Sequence, residues 1–194
     1  RNGEVTLNGR ISLDQSADYQ ISSDLRGIDI SEILSADWMD KCEGTVDGGI
    51  NISGKILGEK EMQADGGFSG SDIQFFRNPI LKFLSQSLSE PSLNEIWIEN
   101  LNFQFSRNLT DIEISNLSGE SLPLLKFNQG KIKITSDGYW DGRVIIEIAN
   151  EVVGRLESDK KRYFKNNNEF SSATLILQGD SKEPKLSFEP IIDK

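Results

Sequence analysis

The chain contains no histidine and only one cysteine, Cys42, among its 194 residues. The absence of histidine excludes a Ser-His-Asp or Cys-His catalytic system, a histidine general base and a histidine-liganded zinc ion. A single cysteine forms neither an internal disulfide nor a thiolate metal site by itself, and is most often a small buried residue. The sequence therefore predicts a protein that is not an enzyme and that uses no metal or other cofactor.

Basic residues are also scarce, with 21 Lys and Arg against 31 Asp and Glu and a formal net charge of −10. Because nucleic-acid-binding proteins present a basic face to phosphate, we expect no nucleic-acid partner. No stretch approaches the roughly 18 uninterrupted apolar residues of a membrane span. The chain begins at Arg1 and no secretion leader follows, so we expect a processed product or a piece of a longer protein.

Alternation of apolar and polar residues dominates the chain, and it gives a strand one apolar and one polar face. Roughly ten such segments, separated by turn residues, are typical of an antiparallel meander. We therefore predict a mainly β fold, a curved antiparallel sheet with two or three short helices, in a single domain over residues 1–194 with a possible sub-boundary near 89–92. The clearest alternating segments are Val5–Leu13, Tyr19–Leu25, Val46–Ile52, Leu101–Phe105, Val144–Ile148 and Leu175–Leu177.

Glycine-containing runs predict the turns between these strands, because Gly, Asn and Asp tolerate positive φ. Asp137-Gly138 predicts a tight hairpin turn, and Asp47-Gly48-Gly49 and Asp65-Gly66-Gly67 resemble one another and predict two hairpin corners. Asn128-Gln129-Gly130 is interpreted as a connection between two strands. The polar run Lys160–Asn168 predicts a surface loop.

Three segments depart from the alternating pattern and favour helices. Asn78 stands where an N-cap would, and Pro79–Leu88 places its apolar residues on one helical face. Ser31–Met39 predicts a shorter helix capped by Asp29 or Ser31. Ala149–Phe164 carries apolar residues at helical intervals, although a glycine weakens that prediction.

The apolar strand faces have two ways to avoid water. They pack on each other in a closed sandwich or barrel, or they curl into an open groove whose lining accepts a lipid chain. Periodicity is the same in both cases and alone favours the closed sandwich. The candidate core or lipid-facing residues are Ile132, Ile134, Val144, Ile146, Ile148, Leu175 and Leu177.

Aromatic and acidic residues suggest two further functions. Trp97, Tyr139 and Trp140 are candidate stacking platforms of a carbohydrate-binding β-sandwich. Glu95 and Glu99 flank Trp97 on one strand face, but a glycosidase needs two acids about 5–9.5 Å apart in a cleft. A solvated strand face, with Trp97 covered by a neighbouring segment, is the favoured interpretation of this acidic pair.

The order of the segments adds a resemblance to a known family. Gly44–Gly54 and Ala64–Ile73 precede the apolar helix at Pro79–Leu88, and Ala173–Leu186 places Gly179 and Pro184 at the spacing of the family's terminal phrase. Over roughly residues 40 to 190, this order resembles the AsmA-like C-terminal region of AsmA/TamB-type bacterial envelope proteins. Further similar segments are Ile98–Phe105, Lys131–Ile134 and Gly142–Ile146.

The resemblance implies a non-enzymatic, periplasm-facing domain in the bacterial cell envelope, and a role in lipid transport or outer-membrane biogenesis. It also implies that this is the C-terminal fragment of a longer protein, tethered by a membrane anchor outside the chain. The implied partners are a lipid or acyl chain and, through regions outside this chain, envelope proteins or the membrane. Because the anchor and most of the family's repetitive body are missing, a terminal cap that docks rather than carries lipid stays open.

Overall fold

The computed structural model describes residues 3–13, 17–33, 40–56, 58–108, 110–180 and 183–191. Within these ranges the chain forms eleven strands that all belong to one antiparallel sheet, and neighbours in the sheet follow chain order except for β9. The prediction of a mainly β, curved antiparallel sheet is thereby confirmed. The strands are β1 Glu4–Ile11, β2 Asp18–Asp29, β3 Cys42–Lys55, β4 Gly58–Phe76, β5 Glu95–Asn108, β6 Asp111–Ser121, β7 Leu125–Ile134, β8 Tyr139–Ala149, β9 Lys165–Asn167, β10 Phe170–Asp180 and β11 Lys185–Phe188.

The sheet is open. Within the described residues β1 pairs only with β2 and β11 pairs only with β10, so the two ends do not meet. The closed sandwich that periodicity alone favoured is wrong, because alternation identifies the apolar face of each strand and not what covers it. β4 and β5 pair from Gln63↔Asn108 to Phe76↔Glu95, so the same sheet continues across the possible sub-boundary at 89–92.

Four short helices and a 3-10 turn lie between strands in the described part of the chain: α1 Ile30–Ile33, α2 Pro79–Leu88, the 3-10 turn Pro91–Asn94, α3 Asn150–Gly154 and α4 Ser158–Lys161. None of the helices described there has the length and apolar composition needed to cross a bilayer.

The start of α2 confirms the capping prediction. The Leu81 N–H donates to Asn78 Oδ1 at 2.8 Å, and Pro79 occupies the first helical position. The helix ends at Leu88, where Ser89 takes the left-handed conformation with φ of +52°. Leu81, Leu84 and Leu88 are buried, so the predicted apolar face is the face that packs.

The other two helical predictions are confirmed only in part within the described residues. α1 begins after Asp29, whose Oδ1 accepts from the Ser31 N–H at 2.9 Å, and positions 34–39 of the predicted helix lie outside the described residues. Ala149–Phe164 contains α3 and α4, with a break just after Gly154. The surface-loop prediction for Lys160–Asn168 is wrong in part, because this segment includes β9, which pairs with β10.

Both predicted glycine corners are wrong, since the two runs lie in the middle of β3 and β4, with Gly49 directly opposite Gly67. A Cβ atom at Gly66 would come within 2.3 Å of the Gly49 carbonyl oxygen, and one at Gly48 equally close to the Gly67 carbonyl oxygen. Close approach of two strand backbones, and not a turn, is therefore what requires glycine here.

Of the two remaining turn predictions, one is wrong and one is confirmed. Asn128–Gly130 lies inside β7, where Gln129 has φ of +52° and the register with β8 shifts, so it is a β-bulge and not a connection. Asp137-Gly138 is confirmed as a hairpin turn between β7 and β8, with Gly138 at φ of +80°.

Candidate functional site: a partly uncovered apolar face

The strand register gathers the apolar residues on one face of the sheet, and their burial changes steadily across it. One row of paired positions runs through Leu7, Ile50, Phe105, Ile114, Ile132 and Leu177. Leu7 is 68% exposed, the next three are partly buried, and Leu177 is 0% exposed. The same face is therefore exposed to solvent at β1 and buried at β10.

Helical segments cover the buried end of this face, at β7, β8 and β10. Leu81, Leu84 and Leu88 of α2 and Val152 and Val153 of α3 belong to the same hydrophobic cluster as the buried residues of β7, β8 and β10. The ring of Phe188 on β11 lies 5.4 Å from that of Phe83 on α2 and 5.2 Å from that of Phe164. This cover of α2, α3 and the Phe164 segment protects the C-terminal strands from water.

Polar contacts hold the two parts of the cover together. Arg155, just after α3, forms a salt bridge with Glu90, just after α2, and Lys160 Nζ donates to the Ser87 carbonyl at 3.1 Å. A hydrogen bond from Ser92, and then the Arg155 guanidinium, hold the pKa of the Glu90 carboxyl below its usual value. The cover is therefore joined across 65 residues of sequence.

The apolar face also carries exposed side chains that we call the open strip: Val5, Leu7, Ile11 and Ile21 on β1 and β2, and Ile112 on β6, beyond β3, β4 and β5. All five side chains are at least 36% exposed, and the register places them on the apolar face. The partly buried Phe105 and Phe103 lie beside them and pack on Phe68, with ring centroids 5.9 and 5.3 Å apart. Several exposed apolar side chains on one continuous face mark a binding surface more often than scattered ones do.

One basic residue borders the open strip. Arg107 pairs with Ala64 and Ile112, so it lies on the apolar face, near the end of β5. The open strip thus presents a long apolar surface with a guanidinium at its rim.

The core or lipid-facing candidates lie at the covered end. Ile132, Val144, Ile146, Ile148, Leu175 and Leu177 are buried, and Ile134 is partly buried. They form core under the cover, whereas the open strip lies in β1, β2 and β6. Sequence reasoning recognised the alternation of β1 and β2 but did not single out their side chains, because period alone does not show which strands lack a covering helix.

The three aromatic candidates do not share a surface. Trp97 is 56% exposed and lies with Glu95 and Glu99 on the polar face, as does the exposed Tyr139. Trp140 is only 9% exposed and lies on the apolar face opposite Ile134. Trp140 is therefore part of the core and offers no stacking platform.

The acidic pair is spread along one exposed strand. Glu95 and Glu99 are four residues apart in β5, so their Cα atoms are about 13 Å apart at the rise of a strand. Glu95 accepts a hydrogen bond from Gln74 on β4. The pair is thus on an exposed strand face, as the favoured interpretation predicted, but its prediction that a neighbouring segment covers Trp97 is wrong, since that side chain is exposed.

The polar face has a shallow depression of about 610 Å³ above Gly49 and Gly67, bordered by Asp24, Asn51, Asp65 and Gln104. Within the described ranges no three acidic or cysteine side chains gather as a metal site would require. Cys42, the first residue of β3, is buried, and desolvation, with the nearby Asp29 and Glu43 carboxylates, raises its pKa to about 11.

The open strip is suited to holding an apolar chain, and Arg107 at its rim is suited to an anionic group attached to that chain. No family model, curated protein or solved structure matches the chain significantly.

Proposed function

We propose that this chain is a non-enzymatic, periplasm-facing domain of an AsmA-like envelope protein, and that it holds an acyl chain of a lipid on the open strip during lipid transport or outer-membrane assembly. The single observation that carries the acyl-chain proposal is the uncovered part of the apolar face at β1 and β2. The envelope assignment is supported by the resemblance described above.

Burial of the strip explains why a lipid is the favoured occupant. Apolar surface in contact with water costs about 25 cal/mol per Å², so a chain laid along Leu7, Ile21 and Phe105 is stabilised by removing that contact. An acyl chain needs no hydrogen bonds from its site, and the side chains of the strip offer none. Arg107 adds a charge partner for a phosphate or carboxylate headgroup.

Two neighbouring residues of β2 give a matched test. Ile21 is 38% exposed on the open strip, and Ser22 is exposed on the polar face. In a titration with a fluorescent fatty acid, Ile21→Glu should abolish saturable binding and Ser22→Glu should leave it unchanged. Equal binding by both variants, or none by the unaltered chain, would contradict the proposal. Lipid extraction of the purified protein followed by mass spectrometry identifies the bound species.

The headgroup contact has its own readout. Arg107→Gln should weaken binding of a fluorescent fatty acid about tenfold and leave binding of an uncharged alkyl probe unchanged. An equal loss for both probes would assign Arg107 a structural role.

A second candidate function, carbohydrate binding, is favoured by one observation, the exposed indole of Trp97 on the polar face. Sugar rings stack on such exposed aromatic surfaces through their apolar faces. Glycan-array binding that Trp97→Ala removes would support this candidate, and an array without signal would rule it out.

A further inference from the structure

The segment Lys160–Lys165, which we call the basic turn, concentrates positive charge at one place on an acidic protein. Four of its six residues are Lys or Arg, and residues 160–168 include no acidic side chain, although the whole chain carries a net charge of −10. The nearest acidic residues along the chain are Asp159 before it and Glu169 after it. Like charges at this density repel one another unless an anion lies close to them.

Two turns and aromatic packing hold the basic turn against the covered end of the sheet. The Tyr163 N–H donates to the Lys160 carbonyl at 3.2 Å, and the Phe164 N–H donates to the Lys161 carbonyl at 3.0 Å. The rings of Tyr163 and Phe164 lie 6.2 and 5.2 Å from the ring of Phe188. The aromatic side chains thus pack on the core, and three of the basic residues are exposed to solvent: Lys161, Arg162 and Lys165.

These three cations lack the partners that basic residues have on the polar face of the sheet. On that face three exposed basic residues each have a carboxylate within 3.4 Å: Lys131 with Glu113, Lys133 with Asp111 and Arg143 with Glu189. Among the described residues, no carboxylate lies within salt-bridge distance of Lys161, Arg162 or Lys165. Lys161 donates instead to the Gly154 carbonyl, and Arg162 to the Tyr163 hydroxyl. The basic turn therefore presents positive charge that the described carboxylates leave unneutralised.

We propose that the basic turn docks this domain on the surface of an anionic phospholipid bilayer. Each Lys or Arg close to such a surface strengthens binding about fivefold, and three act together here. The acidic remainder of the chain opposes contact only within the Debye length, about 8 Å at physiological salt, so it does not cancel a patch that touches the bilayer first. The Arg162 guanidinium lies 5.0 Å from the centre of the partly buried Tyr163 ring, which is apolar with a polar tip and suits the headgroup region.

The size of the patch favours a bilayer over a nucleic acid or an acidic protein. Three charges neutralise few phosphates of a duplex, and the acidic remainder of the chain repels the rest of a long polyanion. Anionic lipids diffuse in the plane of the bilayer and gather beneath a compact cationic patch. The docking does not depend on acyl-chain binding, because the open strip lies on other strands.

Flotation of the full chain with lipid vesicles measures the docking. Vesicles of phosphatidylglycerol and phosphatidylcholine should bind the protein, and binding should weaken as salt is added, whereas pure phosphatidylcholine vesicles should not bind it. Lys165→Gln should weaken binding about fivefold, and the triple variant Lys161→Gln/Arg162→Gln/Lys165→Gln about 100-fold.

The triple variant Lys131→Gln/Lys133→Gln/Arg143→Gln is the matched control, because it changes the net charge equally but removes cations that already have carboxylate partners. It should bind like the unaltered chain, and circular dichroism verifies that both triple variants fold. Equal losses in the two triple variants would overturn the proposal by assigning binding to net charge.

Three further results would also overturn bilayer docking. They are equal binding to both kinds of vesicle, no binding to the anionic vesicles, and binding of soluble polyglutamate that the Lys161, Arg162 and Lys165 substitutions weaken to the same extent. Ile21→Glu, which should remove acyl-chain binding, should leave flotation unchanged, so failure of the docking proposal and failure of the acyl-chain proposal are distinguishable.

Discussion

β1 and β10 carry the same alternating pattern, but their apolar side chains differ in burial. In β1 the apolar positions Val5 and Leu7 are more than half exposed, whereas in β10 Leu175 and Leu177 are almost wholly buried. Both strands lie in the same sheet with their apolar residues on the same face. The difference shows that alternation determines which way a side chain points, and that the covering helices determine whether it is buried.

The middle of the sheet differs from its C-terminal part in another way. β3 and β4 contain Gly48, Gly49, Gly66 and Gly67, of which Gly49 and Gly67 face each other, and the two backbones approach closely there. β8 instead carries branched side chains at Val144, Ile146 and Ile148, which pack under the cover. Buried side chains nevertheless extend into the N-terminal strands, where Leu25, Val46 and Ile73 belong to the same hydrophobic cluster.

The largest expected effect comes from truncating one leucine to alanine in each of the two regions. Leu177→Ala should lower the free energy of unfolding by about 2–5 kcal/mol, because it leaves a cavity in the covered core. Leu7→Ala should change it by less than about 0.5 kcal/mol, since Leu7 is exposed. Urea unfolding of both variants measures this, and similar losses would disprove the contrast.

Neighbouring glycines of β4 test close approach in the middle of the sheet. Gly66→Ala should destabilise the protein by about 1–3 kcal/mol, because the new Cβ meets the Gly49 carbonyl oxygen at 2.3 Å. At Gly67 the nearest atom to a new Cβ is 3.5 Å away, so Gly67→Ala should be tolerated. Thermal unfolding that ranks the two variants in the opposite order would refute the argument.

The cap of α2 tests how much the cover contributes. Asn78→Ala removes the acceptor for the Leu81 N–H and should cost about 1 kcal/mol. Asn94→Ala, which removes only an exposed contact with the Pro91 carbonyl, is the control and should have little effect. Amide exchange should accelerate in α2 and at Leu177 in the first variant, while exchange in β1 stays as it was.

The titration of Cys42 tests burial at the start of β3. It should not change stability at neutral pH, so this is the smallest expected effect. Its pKa is raised to about 11 in the folded state from an ordinary value of 9.0, so the unfolded chain loses the thiol proton first. The contribution of Cys42 to stability should therefore be constant below about pH 9 and should fall as pH rises toward 11. Cys42→Ala should remove this part of the decline. Rapid reaction of the folded protein with a thiol reagent at pH 9 would show that Cys42 is accessible.

Much of the fold was predictable because its signals are local. Val144, Ile146 and Ile148 alternate strictly, and a strand needs only that period to be recognised. Asn78 and Pro79 identify the start of α2 because a cap satisfies backbone groups within one turn. The glycines at 48, 49, 66 and 67 misled the prediction, because a residue that tolerates turns also permits close contact between strands that are distant in sequence.

The candidate site was less predictable, because local signals do not show which strands are covered. Ile132 and Leu177 were chosen from alternation and are buried, while Leu7 and Ile21 have the same pattern and are exposed. Their difference depends on where Phe83, Phe164 and Phe188 meet, which involves segments that are far apart in the chain.

The amino-acid sequence by itself determined the strands, their apolar face, the cap of α2 and the absence of histidine chemistry, because each of these depends on residue type and short spacing. Only the tertiary structure decided that the sheet stays open, that the cover lies over the C-terminal strands and that the apolar side chains of β1 stay exposed. Those features depend on contacts between residues tens of positions apart, which no local pattern encodes.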